Sequence, residues 1–357
     1  MEKLVTLPSH KFWSNKTVLL TGHTGFKGGW LALWLATMGA RVAGFALPPT
    51  TTPNLFAMLG LANRVDSRFG DIRDAAEIAA VMRETKPQIV FHLAAQPLVR
   101  AGYAMPLVTF QTNVMGTAHI LEAVREVDSV EVALTITTDK VYRNREWSFP
   151  YRETDHLGGH DPYSASKAAA ELVATCYRDS FLAGRNVRTA TARAGNVIGG
   201  GDWSCDRLIP DAIRAWDSGN TLMVRRPAAT RPWQHVLDPL SGYLVLAEKL
   251  FAKADLPTAF NFGPGGAATA DVRTVVELAR RGYGRGEVTY GDGSDGPHEA
   301  NLLALDTSQA QAVLGVKPRW PLDISVQKTM SWYRAVAEGG DAWSICQADI
   351  AAFEQDA

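Results

Sequence analysis

Only three cysteines occur in the 357 residues (Cys176, Cys205 and Cys346), and no C-x-x-C pair is among them. That spacing speaks against a disulfide scaffold or a cysteine-based zinc site and for free thiols in a reducing compartment. Long hydrophobic runs are also lacking. The longest apolar stretch, residues 30–38, falls well short of a membrane span and is followed by Arg41. Residues 1–14 mix charges with single apolar residues and hold no signal-peptide core. Net charge is close to zero: 36 Lys+Arg against 37 Asp+Glu leave −1. No surplus of positive charge exists to displace counterions from phosphates, which argues against a nucleic-acid partner. A soluble cytoplasmic protein with neither nucleic-acid nor membrane partners is the expectation.

What the chain does have is apolar content, 46% of residues with 20% charged, enough for a substantial core. Its length suggests roughly two domains. In the first half, strand-like runs at 17–21 (TVLLT), 41–47 (RVAGFAL), 88–93 (QIVFHL), 130–137 (VEVALTIT) and 187–192 alternate with helical segments at 29–39, 75–85, 114–127 and 164–182. Continuous apolar strands of this kind suit a parallel sheet buried on both faces. At least six such alternations precede residue 195, so the fold class expected is α/β, a doubly wound parallel Rossmann sheet.

The second half is richer in Gly, Pro and Trp, with loops at 199–203 (GGGDW), 225–233 (RRPAATRPW) and 290–297 (YGDGSDGP). Short helices are expected at 209–216 and 274–281. The stretches 237–250 and 259–262 are apolar enough to return to the sheet. The domain reading is therefore an α/β domain over 1–195, the Rossmann unit, with segments near 236–263 rejoining it. A smaller, discontinuous C-terminal substrate domain follows over 196–357.

Residues 21–28 read TGHTGFKG, with Gly22, Gly25 and Gly28 directly after the first buried strand. Glycines here let backbone approach a pyrophosphate, which is then held by the free N–H groups at the start of the next helix. Lys27 is followed by Gly28, not Ser or Thr, which rules out a Walker A loop. The candidate dinucleotide residues are Gly22, His23, Thr24, Gly25, Phe26, Lys27 and Gly28, together with Asp71 and Ile72 after the third strand. Ala94, Ala95 and Gln96 after the fourth strand, and Asn113, read as opening a helix, complete the set. Residues 46–49 offer no acid for a ribose 2′-hydroxyl and no arginine for a 2′-phosphate, so that rule leaves NAD and NADP open, and NAD is the expected cofactor.

Tyr163 and Lys167 lie four apart, on one face of a helix. A nearby ammonium lowers the pKa of a phenol, making a base of it. Thr138, just past a buried strand, adds a hydroxyl that can bond the same substrate oxygen. Glycine loop, Thr138 and Tyr-x-x-x-Lys in this order resemble the extended short-chain dehydrogenase/reductase family over most of the chain. Residues 137–140 (TTDK) resemble the sugar-nucleotide 4,6-dehydratases within it, in which Thr-Asp-Glu commonly occupies this place. The lysine variant, with TGHTGFKGGW, HLAAQPLVR, RAGNVIGGGDW and RPWQHVL, is similar to the branch that acts on a cytidine-diphosphate sugar.

The resemblance implies oxidation of the sugar at C4 with Tyr163 as base, elimination of water across C5 and C6, and return of the hydride to C6. Asp139 and Lys140 are the acid and base that an elimination needs and an epimerisation does not. Asn196, Arg207, Arg231 and His298 stand where the family contacts the nucleotide-sugar, and a homodimer is implied in the same way. Two alternatives stay open: an epimerase or decarboxylase of the same fold, and a Rossmann regulator without turnover. His156 and His160 have i,i+4 spacing, but Gly158 and Gly159 lie between them and break any helix, so no metal site is expected.

Overall fold

The computed structural model describes residues 5–252, 255–264, 269–293 and 302–355. Seven parallel strands form its central sheet: β1 (Thr17–Thr21), β2 (Arg41–Ala46), β3 (Asp66–Phe69), β4 (Ile89–His92), β5 (Val132–Ile136), β6 (Arg188–Ala194) and β7 (Ala259–Phe262). Their spatial order is β7-β6-β5-β4-β1-β2-β3. The chain winds outward from β1 through β2 and β3, then crosses to β4 and winds the other way. The crevice at that reversal, outside the carboxyl ends of β1 and β4, is where such sheets bind ligands.

Pleating sends successive side chains to opposite faces. Val18 and Leu20 of β1 join one hydrophobic cluster with Trp30, Trp34 and Phe91. Leu19 between them joins a second cluster with Val90, Ile78, Met82 and Ile120. The helices that supply these faces are α1 (Phe26–Thr37), α2 (Ala75–Thr85) and α3 (Gly116–Glu126), followed by α4 (Pro162–Tyr177).

The helix expected from residue 114 begins earlier: Pro106–Phe110 is helical and leads through a π-turn, Gln111–Met115, into α3. Asn113 therefore lies inside a π-turn and does not open a helix. Proline at the first position of 106–110 replaces an N–H that would have no partner there, which suits it to start this run.

Helix α6 (Leu237–Phe251) packs on the sheet and β7 joins its edge, with Phe260 of β7 opposite Ala192 of β6. The break at 195 does not separate two hydrophobic cores. The cluster on the α1 face runs on through Ile213 and Trp216 of α5 (Leu208–Asp217), Val275 of α7 (Val272–Tyr283), Trp332 of α8 (Leu322–Ala337) and Phe353 of α9 (Ala342–Gln355). The C-terminal helices close over α1: the Trp34 ring meets Phe353 edge to face, and its Nε1–H donates to Glu354 Oε1 at 3.0 Å. Residues assigned by sequence to the substrate side thus form an outer layer over α1. Apolar residues on both sides of 195 bury more surface together than either set could alone.

Candidate active site

One cleft, about 1610 Å3 in volume, runs along the carboxyl ends of the strands from Asp71 to Arg231. A drug-sized ligand needs about 300–1,000 Å3, so this cleft has room for two ligands end to end. Gly22, Thr24, Gly25, Phe26, Lys27 and Gly28 line one end, with Asp71, Ile72, Ala94, Ala95 and Gln96 beside them. Thr138, Asp139, Lys140, Tyr163 and Lys167 line the middle, and Asn196, Arg207 and Arg231 the far side. His298 lies outside the described residues.

The glycine turn is shaped by close approach. A Cβ on Gly28 would sit 2.0 Å from the Gly22 carbonyl oxygen, and one on Gly22, at φ +81°, 2.8 Å from the Ala94 nitrogen. Gly25 caps α1 with no side chain over its first N–H groups, which leaves them to an anion in the cleft. These features fit a dinucleotide pyrophosphate.

Two of the residues assigned to the cofactor face elsewhere. His23 is fully buried beneath β2, its Nε2 2.7 Å from Ser67 Oγ, and its ring occupies the space that a side chain at Gly44 would need. Burial lowers its pKa to about 4. Asn113 is buried behind the cleft. Its Oδ1 accepts from Gln96 N–H at 2.8 Å, and its Nδ2 donates to the Gln96 carbonyl at 3.1 Å and to Ser166 Oγ at 2.8 Å. It therefore shapes the 94–96 loop rather than lining the cavity. Asp71 does line the cleft, but Arg73 already holds its carboxylate, Nη2 to Oδ2 at 2.5 Å and Nε to Oδ2 at 2.9 Å. These bonds pull the Asp71 pKa down.

The catalytic candidates come from two elements. Asp161 caps α4, accepting from Ser164 N–H at 3.0 Å, and Pro162 takes the first position, so Tyr163 projects from the first turn. Lys167, one turn on, donates to the Ile136 carbonyl at 2.8 Å. Burial lowers its pKa to about 8 against the opposing charge of Glu171. Burial also raises the Tyr163 pKa, opposed first by the Arg207 guanidinium and then by a hydrogen bond with Thr138. Sequence spacing singled out Lys167 for that electrostatic role and Arg207 for the substrate. In the folded chain the cation that bears on the phenol is Arg207.

Past β5, Thr138 begins a tight turn over Asp139–Val141. Its hydroxyl donates to Asp139 Oδ1 at 2.9 Å, and Lys140 Nζ stands 3.6 Å from the same oxygen. The pair is unevenly enclosed: the Asp139 side chain is 1% exposed and that of Lys140 30%. Asp139 Oδ2 is buried and accepts no hydrogen bond among the described residues.

A third ammonium is present. Lys27 donates to the buried Tyr243 hydroxyl at 2.9 Å. Enclosure lowers its pKa to about 7, helped by Lys167 and Arg207 and opposed by Asp139. Nothing in the spacing marked Tyr243 as its partner, because the two are brought together only by α6 packing on α1.

Residues 19–329 match the model of the GDP-mannose 4,6 dehydratase family. The chain belongs to this family. It is 47% identical over 336 residues to the CDP-glucose 4,6-dehydratase of Salmonella typhimurium, covering 92% of this chain and 94% of that protein. The dTDP-glucose 4,6-dehydratase of Xanthomonas campestris pv. campestris is 28% identical, with 89% and 93% covered. Among solved structures, MoeE5 in complex with UDP-glucose and NAD superposes with a TM-score of 0.76 at 25% identity, over 90% of this chain and 99% of that one. The dTDP-glucose 4,6-dehydratase of Bacillus anthracis in complex with NAD shares the fold, with a TM-score of 0.75 at 21% identity and 92% and 99% covered. As a member of the dehydratase family, the chain is an enzyme of the extended short-chain dehydrogenase/reductase type.

Proposed function

We propose that the protein is an NAD-dependent CDP-glucose 4,6-dehydratase, converting CDP-glucose to CDP-4-keto-6-deoxyglucose. The observation that carries the reading is the acid/base pair at 139–140 beside Tyr163 in one cleft. An epimerase needs Tyr163 but has no use for a second acid and base. The 47% identity to the Salmonella typhimurium CDP-glucose 4,6-dehydratase supports the choice of nucleotide.

The glycine turn, Asp71, Ile72 and the 94–96 loop hold the dinucleotide in this reading. When bound, NAD supplies a reversible acceptor for one hydride. Tyr163, with Thr138 bonding the same oxygen and Arg207 favouring the phenolate, takes the proton from the sugar 4-hydroxyl. Lys167 adds positive charge behind it. The resulting 4-ketone acidifies C5–H, and Lys140, the more exposed member of the pair, removes that proton. Asp139 presents the unpartnered Oδ2 as the atom that carries a proton to the C6 hydroxyl as water leaves. Asn196, Arg207 and Arg231 hold the nucleotide-sugar, the arginines suiting a diphosphate through two-pronged bonding. In this reading the part from 196 onward supplies the substrate side, with residues of the 199–203 and 225–233 loops lining the cleft.

The reading includes a homodimer and a cytoplasmic location. Leu107 (76% exposed), Phe110 and Met115 are exposed on the 106–126 run, and Leu172 and Phe181 are exposed on α4 and the turn after it, which pack beside that run. A second copy of the chain is the occupant that covers this face, since two helices facing themselves across a two-fold axis form a self-complementary patch. Among the described residues, no helix is long and apolar enough to cross a membrane, and Cys176 and Cys205 are exposed free thiols. Mass spectrometry after incubation with CDP-, UDP- and dTDP-glucose tests the function. Loss of water from CDP-glucose is expected. Unchanged mass with a new stereocentre would replace the reading with an epimerase.

A further inference from the structure

Glu171 follows Lys167 by one turn of α4 and is 2% exposed. Its carboxylate is surrounded by donors. Oε1 accepts from the Thr137 hydroxyl and from Arg193 Nε at 2.9 Å. Oε2 accepts from the Thr191 hydroxyl at 2.6 Å and from Arg193 Nη2 at 2.8 Å. Arg193, 4% exposed on β6, extends its remaining nitrogen, Nη1, to the Tyr142 hydroxyl at 2.9 Å and the Glu153 carbonyl at 3.0 Å. The Tyr142 hydroxyl in turn donates to Asn261 Oδ1 of β7 at 2.6 Å.

Thr137 immediately precedes Thr138, and Tyr142 immediately follows Val141. The ion pair therefore touches both flanks of the turn that carries Thr138, Asp139 and Lys140, one flank through each partner. Burying two ions costs desolvation that apolar residues of the same volume would avoid, so stability alone does not account for the pair. Its specific product is directional: bonds with fixed geometry at each end of a four-residue segment.

We propose that Glu171 and Arg193 are a positioning pair that clamps the 138–141 turn from both ends and so sets Asp139 and Lys140 against the sugar. The proposal rests on the dehydratase reading for what the turn does. It stands on the hydrogen bonds for how the turn is held. Since the nucleotide is bound elsewhere in the cleft, loosening the clamp affects turnover and not substrate affinity.

The test compares two donors to one carboxylate. Thr137→Val removes the donor next to the turn, and Thr191→Val removes one of the same kind on β6. With the full-length protein and CDP-glucose, Thr137→Val and Tyr142→Phe should each lower kcat about 10- to 100-fold, the scale of small misplacements of reacting groups, with KM unchanged. Thr137→Ser, which keeps the hydroxyl, should restore kcat. Thr191→Val should lower the melting temperature and leave kcat near wild type. Amide hydrogen exchange across residues 138–142, measured without substrate, should quicken in Thr137→Val and not in Thr191→Val. Wild-type kcat and exchange in Thr137→Val would overturn the proposal, as would an equal fall in kcat and an equal quickening of exchange in Thr191→Val. A wild type that removes no water from CDP-glucose would instead overturn the functional reading, and the exchange comparison would still decide whether the pair holds the turn.

Discussion

At the scale of single residues, the proposed reaction needs two proton transfers from groups that a sequence motif lists side by side. Asp139 is buried with one oxygen unpartnered, whereas Lys140 reaches into the open part of the cleft. If Lys140 is the C5 base, Lys140→Ala leaves oxidation at C4 possible but stops solvent deuterium from entering C5. Asp139→Asn keeps the C5 exchange and slows cleavage of the C6–O bond, because an amide cannot deliver the proton. Positioned acids and bases contribute about 10²–10⁴-fold, and each variant should lose turnover on that scale. NMR of C5 deuterium in recovered sugar distinguishes them. Wild-type exchange in Lys140→Ala would transfer the base role to Asp139 or a bound water.

Lys167 carries a pH signature of its own. An ordinary lysine titrates near 10.4, but burial brings this one to about 8. It is charged below that pH and loses its charge as the pH rises through it, which in the proposed mechanism withdraws support from the Tyr163 phenolate. The profile of kcat/KM should fall above about pH 8. Lys167→Arg stays charged throughout, so the alkaline fall should disappear while the plateau drops, a guanidinium being a poor replacement for the single bond to the Ile136 carbonyl. A fall that stays in place in Lys167→Arg would point to Lys27, the other ammonium lowered into this range.

Elements differ in how openly the sequence declares them. β1, β4 and β5 are buried along nearly their whole length, so each reads as an unbroken apolar run. The start of the 106–126 run was obscured because its apolar residues Leu107, Phe110 and Met115 face outward and the π-turn breaks the 3.6-residue period. In the second half, pairings such as Thr230–Arg231 with Ala270–Asp271 are two residues long and set wholly by distant contacts. The lining of the cleft was legible because glycine loop, TTDK and Tyr-x-x-x-Lys are local motifs. The Glu171–Arg193 clamp, the Lys27–Tyr243 contact and the inward turn of His23 were not, since each depends on which strand or helix lies alongside. The start of α1 shows the same distinction within one motif. Gly28→Ala forces a Cβ onto backbone at 2.0 Å and should destabilise the fold by about 1–3 kcal/mol or more. At Gly25 a Cβ meets only the Gly22 carbonyl, at 3.4 Å. Gly25→Ala should keep its melting temperature and bind NAD more weakly. Calorimetric NAD titration beside thermal melting checks both, and normal NAD binding by Gly25→Ala would remove that residue from the cofactor cradle.

Across the whole molecule, three buried histidines make stability sensitive to acid. Burial lowers His23 to about 4 and both His92 and His235 to about 3. In the unfolded chain each takes a proton near pH 6.5. Below that pH the unfolded state therefore binds protons that the folded state refuses, and each histidine weakens the fold by about 1.4 kcal/mol per pH unit. Asp238 works the other way. Burial raises it to about 7, so between about 4 and 7 the folded chain holds a proton that the unfolded chain has released. Glu153, Glu248, Asp211 and Asp349 are raised by burial and share its direction. These opposing contributions make the total slope a poor test, but a single histidine can be isolated. His235 lies between the Trp30 and Trp320 rings, and its Nε2 has no hydrogen-bond partner among the described residues. Its Nδ1 accepts from the Leu237 N–H at 3.3 Å. Phenylalanine can fill the same space without titrating. Chemical denaturation of His235→Phe and wild type at pH 7, 6 and 5 should show the variant gaining on the wild type as pH falls, by about 2 kcal/mol between pH 6.5 and 5. A difference that stays constant over that range would mean that His235 takes its proton equally in both states, and that the acid sensitivity lies with His23 and His92.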